Sequence, residues 1–181
     1  MAAPVRFTYF FRRLGLDEAT LPPGLTQSLL DAHRGALVRA AEFPAHHGPL
    51  LRSLAARYRL AVVSNFDYTP TALDILERAG VTRLFGAIVV SDAVGWRKPR
   101  REIFDAALGR LGVGAAEALF VGDRADIDVL GAQRIGMATA WVNPAAEALP
   151  AGLEPPQFEI RDLGELAEIL KLSPTHRHPR E

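Results

Sequence analysis

From residue 59 onward, short apolar runs alternate with longer stretches in which apolar residues recur every three or four positions. The runs RLAVVSN (59–65), GAIVVSD (86–92), ALFVGD (118–123) and ATAWVN (138–143) are nearly continuous in Val, Ile and Ala. That composition predicts four parallel strands covered on both faces. The stretches between them predict helices with legible ends. Thr69 and Pro70 open the first as cap and first helical residue, Leu73, Leu76 and Ala79 form its buried stripe, and Gly80 closes it. The second runs from about Pro99, with Ile103, Phe104, Ala107, Leu108 and Leu111 on one face and Gly112 as its stop, and the third runs from near Ala125 to Gly136. Strands and helices alternating in this way imply right-handed βαβ crossovers, hence an α/β fold with a doubly wound parallel sheet.

The first 45 residues follow a different pattern. Leu25, Leu29, Ala36 or Leu37, and Ala40 lie on one helical stripe, and LPPG (21–24) reads as a hinge or turn, so this region is expected to be a helical appendage. VRFTYFF (5–11) fits two periods: Val5, Phe7, Tyr9 and Phe11 alternate as in a strand, whereas the following Arg-Arg-Leu-Gly favours a helix end, and helix is preferred. After Pro155 and Pro156, FEIRDLGELAEILKL (158–172) gives a short extended piece and a last helix; 173–181 is expected to be a disordered tail.

Composition narrows the partners. A chain of 181 residues holds one substantial core with an appendage. Lys plus Arg equals Asp plus Glu at 21 each, so no net field draws in nucleic acid or an acidic membrane surface. The lack of cysteine removes disulfides, thiolate metal sites and cysteine nucleophiles. Arginines and acids interrupt residues 1–18, leaving no signal-like or spanning apolar stretch there, and the expected setting is the cytoplasm.

Chemistry is sought where the strands end, because ligands of parallel α/β sheets gather outside the carboxyl ends. Ser64 and Asn65 end the first strand with a hydroxyl, an amide and free N–H groups ahead of a helix, both candidates for binding a phosphate. Lys98 follows the second strand by a short loop, and Asp123 ends the third, with Asp126 and Asp128 close behind. A hydroxyl and an ammonium hold phosphate oxygens, and clustered carboxylates hold a hard divalent cation, so the combination points to phosphoryl chemistry with magnesium. Asp126 is read as a solvated acid complementing a helix dipole. Asp67 and Asp92 are minor rim candidates, and Trp96 and Trp141 are read as rim or core packing. His46 and His47 are set aside as a metal pair because adjacent side chains face different ways and these sit in a Pro/Gly-flanked loop; His176 and His178 fall in the tail.

VVSNFD (62–67), VGWRKPRREIF (94–104) and FVGDRADIDVLGAQRIGM (120–137) resemble the second, third and fourth motifs of the haloacid dehalogenase superfamily, particularly its small phosphatase-like members with a helical cap. The resemblance implies a Rossmann-like core over 46–172 and part of a helical cap over 1–45. Carried over by position, it implies that Ser64 hydrogen-bonds the transferring phosphoryl group, Lys98 neutralises charge around nucleophile and phosphate, Asp123 binds Mg2+ and Asp128 completes or supports that site. The implied partner is a small phosphorylated metabolite.

One departure bears on activity. Family enzymes begin with a strand ending in Asp-x-Asp, whose first acid attacks phosphorus and whose second serves as general acid and base. No such strand is found in this chain, and the early acids Asp17 and Glu18 follow no β run. The expectation is therefore a phosphatase-like hydrolase represented by a chain that starts too late, inactive alone, with a gap of about one strand between the strands ending at Ser64 and Asp123 unless these pair directly. The alternative is a non-catalytic descendant that binds phosphate, metal or protein. A dinucleotide- or nucleotide-binding domain is weaker, because neither glycine-rich phosphate motif occurs.

Overall fold

The computed structural model describes residues 3–17 and 20–172. Glu18 and the proposed tail, with His176 and His178, lie outside the described residues. VRFTYFF belongs to a helix, α1 (Ala3–Arg13), and α2 (Leu25–Ala40) follows a turn in which Gly24 has φ 80°. The stripe expected on α2 is shifted in register. Leu30 is its buried residue and packs with Tyr68, flanked by Phe7, Leu37 and Phe66, whereas Ala36 and Ala40 are exposed. Here α2 packs on the segment after the first strand and not on the sheet itself, and the Arg34 guanidinium lies 4.8 Å from the Tyr68 ring centroid. The helical segment is thereby anchored beside the residues that follow the first strand.

The α/β part begins with α3 (His47–Ala55) and β1 (Ala61–Ser64), followed by α4 (Thr69–Arg78), β2 (Ala87–Val90), a single turn α5 (Ser91–Val94) and α6 (Arg101–Leu111). Then come β3 (Leu119–Gly122), a π-helical turn (Ala125–Val129) running into α7 (Leu130–Gln133), β4 (Ala138–Val142), β5 (Phe158–Ile160) and α8 (Leu166–Ile169). All pairings are parallel: β1 with β2, β3 with β4, and β4 with β5. The short extended piece after Pro156 is thus a fifth strand. The third expected helix differs too, since its first turn is π-helical.

Alternation along β3 shows both faces covered. Phe120 joins Val89, Ile103, Phe104, Ala107 and Ala132 on the α6 side, while Leu119 and Val121 pack with Ala140, Ile160 and Leu166 on the α8 side. The two hydrophobic clusters lie on opposite faces of a mixed helix and parallel-sheet fold. On α6 the predicted stripe is present, with Ile103, Phe104, Ala107 and Leu108 buried. On α4 it is not: Leu73 is exposed and Thr71 is buried instead. Thr69 does not cap α4 either; it is the first helical residue, and its N–H and hydroxyl donate to Asp92 Oδ2 at 3.0 and 2.9 Å. The cap arrives from 23 residues downstream.

The strands form two sheets, β1-β2 and β3-β4-β5, and β1 and β3 share no ladder. Among the described residues, side-chain contacts join them. The Phe104 and Phe120 rings meet edge-on at 5.0 Å, and Val63 of β1 packs against the same cluster as Phe120. The two strands have not closed up into a direct pair.

Candidate functional site

Each proposed site residue is placed by a local cause. Ser64 closes β1 opposite Val90. Asn65, next in sequence, clips the chain to the Lys98 backbone: its Oδ1 accepts from Lys98 N at 2.7 Å and its Nδ2 donates to Lys98 O at 3.0 Å. The side-chain amide thus holds the loop carrying Lys98. That positioning role was missed in the sequence, because the partner lies 33 residues away.

The Lys98 ammonium is drawn into the space between the two sheets. It donates to the Val63 carbonyl at 2.8 Å, lies 2.9 Å from Asp128 Oδ1, and sits 5.4 Å from the Phe120 ring centroid. The side chains of Lys98 and Asp128 are only 11% and 5% exposed, so this pair is shielded from water.

Asp128 owes its inward aim to the π-helical turn. The Arg124 carbonyl accepts from the N–H groups of Ile127, Asp128 and Val129, at 3.3, 2.7 and 3.3 Å. Residues two apart on a helix point to opposite sides. Asp126 therefore faces out, chelated by Arg124 through Nε at 3.0 Å and Nη2 at 2.8 Å, and that guanidinium holds its carboxyl below the usual range. Asp128 faces in and accepts from Arg124 N at 3.2 Å. Its other oxygen, Oδ1, is buried with no aligned hydrogen bond beyond its contact with the ammonium. The close packing requires Gly122, where a Cβ would come within 2.5 Å of Asp128 Cβ and Oδ2.

Asp123 is presented differently. Trp141, buried beneath it, donates from Nε1 to the Asp123 carbonyl at 3.0 Å, and the carboxylate itself is exposed. The structure brings Lys98 and Asp128 into contact. Ser64 and Asp123 sit one residue beyond the strand positions, Val63 and Gly122, that this pair touches. The remaining rim acids are engaged, Asp67 with Arg97 at 2.6 Å and Asp92 with Thr69. Trp96 lies on the exposed rim under the Arg100 guanidinium at 4.7 Å.

Among the described residues, Asp123, Asp126 and Asp128 do not converge as three ligands. The convergent set is His46, His47 and Asp162. The expectation that the two histidines point apart is overturned. His46 caps α3 and His47 is its first residue, their ring centroids are 4.3 Å apart, and both Nε2 atoms face one carboxylate.

The fold of helices and parallel strands has counterparts in known proteins. Residues 19–142 match the haloacid dehalogenase-like hydrolase family. The chain belongs to the haloacid dehalogenase-like hydrolase family. Its curated relatives include pyrimidine 5'-nucleotidase YjjG of Escherichia coli, 33% identical over 67% of this chain and 53% of that protein. Glyceraldehyde 3-phosphate phosphatase of Pyrococcus abyssi is also 33% identical, over 76% of this chain and 57% of that protein. The chain thus spans little more than half the length of these two relatives. Among solved structures, a HAD phosphatase from Thermococcus onnurineus superposes with a TM-score of 0.69 at 28% identity, over 92% of this chain and 71% of its own. The HAD-hydrolase YfnB of Bacillus subtilis, solved bound to magnesium, superposes at 0.72 with 27% identity, over 93% and 70%. Among the described residues, no helix of this haloacid dehalogenase-like chain is long and apolar enough to cross a membrane.

Proposed function

We propose that this chain supplies the anion- and metal-binding part of a magnesium-dependent phosphomonoester hydrolase acting on a small phosphorylated metabolite, and that these 181 residues alone do not turn substrate over. The observation that carries the reading is the shielded Lys98 ammonium, held between the Val63 carbonyl at the end of β1 and Asp128 behind β3. Ligands of parallel α/β sheets bind outside the carboxyl ends of the strands, where this ammonium would be shared between Asp128 and an anionic substrate. Relatives named as phosphatases of glyceraldehyde 3-phosphate and of ribulose 1,5-bisphosphate support a small phosphomonoester as the substrate class.

In this reading the Ser64 hydroxyl donates to a phosphoryl oxygen, and Lys98, fixed in place by Asn65, offsets phosphate charge. The donor set fits magnesium, because Asp123 offers an exposed carboxylate and Asp128 a buried one whose Oδ1 is shared with the Lys98 ammonium, both hard ligands. When bound, the ion would offset charge on the phosphoryl oxygens. In this reading the described rim acids supply no nucleophile: Asp67, Asp92 and Asp126 are engaged by Arg97, Thr69 and Arg124, and Asp123 and Asp128 serve the metal. A strand bearing Asp-x-Asp between β1 and β3 would complete both sheet and site.

The test is hydrolysis of an activated aryl phosphate with magnesium. The 181-residue chain is expected to show no enzyme-like turnover, while a version extended in front by an apolar strand carrying Asp-x-Asp is expected to show it. Turnover of about one per second or faster by the shorter chain, abolished by Asp123→Ala, would overturn the inactivity. An extended form that stays inactive and binds no phosphate would favour a non-catalytic domain.

A further inference from the structure

We propose that His46, His47 and Asp162 form a second metal site, for a borderline divalent cation such as Zn2+, on the surface where α3 meets the segment after β5. Their ligating atoms all lie within 4.8 Å of one another. His46 Nε2 is 3.1 Å from both Asp162 oxygens, and His47 Nε2 is 3.2 Å from Oδ2. A tetrahedral ion with bonds of about 2.0–2.1 Å sets its ligands roughly 3.3 Å apart. The observed imidazole-to-carboxylate separations match that edge, so an ion could enter with small outward movements of the rings.

The carboxylate is held for this purpose. Asp162 caps a 3₁₀ turn (Leu163–Glu165), its Oδ1 accepting from Gly164 N at 2.7 Å while Glu165 Oε1 accepts from the backbone N–H groups of Arg161 and Asp162 at 2.7 and 3.1 Å. Such outer contacts orient a ligand before a metal arrives. They leave Asp162 Oδ2 facing both imidazoles. His47 is 14% exposed and braced edge-on by Phe43 at 6.1 Å. The His46 side chain, 59% exposed, leaves an open side for entry and for water as a fourth ligand. Two imidazoles and one carboxylate suit zinc, cobalt or nickel better than magnesium, which takes oxygen ligands.

The ion would tie α3 to the segment 115 positions downstream that leads into α8. This site uses none of Ser64, Lys98, Asp123 or Asp128, so it stands or falls apart from the phosphatase reading.

The experiment uses the untagged full chain, stripped with a chelator and titrated with Zn2+ and, for its visible spectrum, Co2+. One equivalent should bind, Co2+ should develop visible absorption bands of low-coordinate geometry, and Tm should rise by about 5–10 °C at a hundredfold excess over Kd. His47→Gln and Asp162→Asn should each weaken binding at least about tenfold. The double variant His176→Gln/His178→Gln should bind as the parent does. Binding unchanged in both His47→Gln and Asp162→Asn, or lost in the His176/His178 double variant, would overturn the site. So would a Co2+ complex showing only the weak bands of the hydrated ion.

Discussion

Replacing Lys98 with Met tests whether the charge between the two sheets is a structural element or a solvated side chain. The substitution keeps most of the apolar stem and removes the ammonium. Asp128, 5% exposed in its side chain, is left with an uncompensated charge, and the Val63 carbonyl loses a donor at 2.8 Å. Removing one member of a buried pair costs about 3–5 kcal/mol, against about 0–1 kcal/mol for a surface pair. Asp128→Asn should cost a comparable amount by stranding the ammonium. Independent effects would sum to roughly 6–10 kcal/mol, comparable with the whole stability of a typical domain. Because the losses share one cause, the double variant Lys98→Met/Asp128→Asn should instead fall near either single variant. Urea denaturation followed by circular dichroism measures all four corners of the cycle. With a slope of about 2 kcal/mol per molar urea, a loss of about 4 kcal/mol moves the midpoint down by roughly 2 M. Single variants that lose under about 1 kcal/mol and add within about 0.5 kcal/mol would refute the reasoning.

Two further outcomes follow from contacts near these residues. Gly122→Ala puts a methyl group within 2.5 Å of Asp128 and should cost about 1–3 kcal/mol, read as a lower urea midpoint; an unchanged midpoint would show that the turn yields freely. Asp162, whose pKa lies at about 2 against an ordinary value of 3.8, stabilises the fold above its unfolded pKa, and that contribution fades as pH falls from about 4 through 2. Carboxyl NMR on the metal-free protein should place its midpoint near 2 and raise it in His47→Gln; a midpoint near 3.8 would rule out the contacts described.

The parallel strands were legible because each is apolar on both faces, and α6 because its stripe and glycine stop agree. Other features rest on partners that no local pattern names. The cap of α4 comes from Asp92, so Thr69 read as its own cap. The burial of α2 follows Tyr68, which shifts its buried register to Leu30 and away from Ala36 and Ala40. Lys98, Asp123 and Asp128 could be nominated from spacing, whereas the clip from Asn65 and the packing of Gly122 against Asp128 emerge only in three dimensions. His46 and His47 were discounted on a rule for side chains along a regular backbone; one carboxylate, 115 positions away from His47, draws both rings together.

A sheet divided between β1 and β3 has a kinetic consequence as well. Backbone hydrogen bonds are what make a sheet open as one cooperative unit, and none crosses this boundary. The chain should therefore carry two zones of slow amide exchange, one over β1 and β2 and another over β3 to β5. Their opening would be coupled chiefly through the wall of α6, where Phe104 leans on Phe120. Among the described residues, such a joint is held by packing and by side-chain contacts, the Lys98–Asp128 pair and the His46 and His47 contacts to Asp162 among them. It can part and re-form without unravelling either half, a mode of breathing denied to a continuous five-stranded sheet.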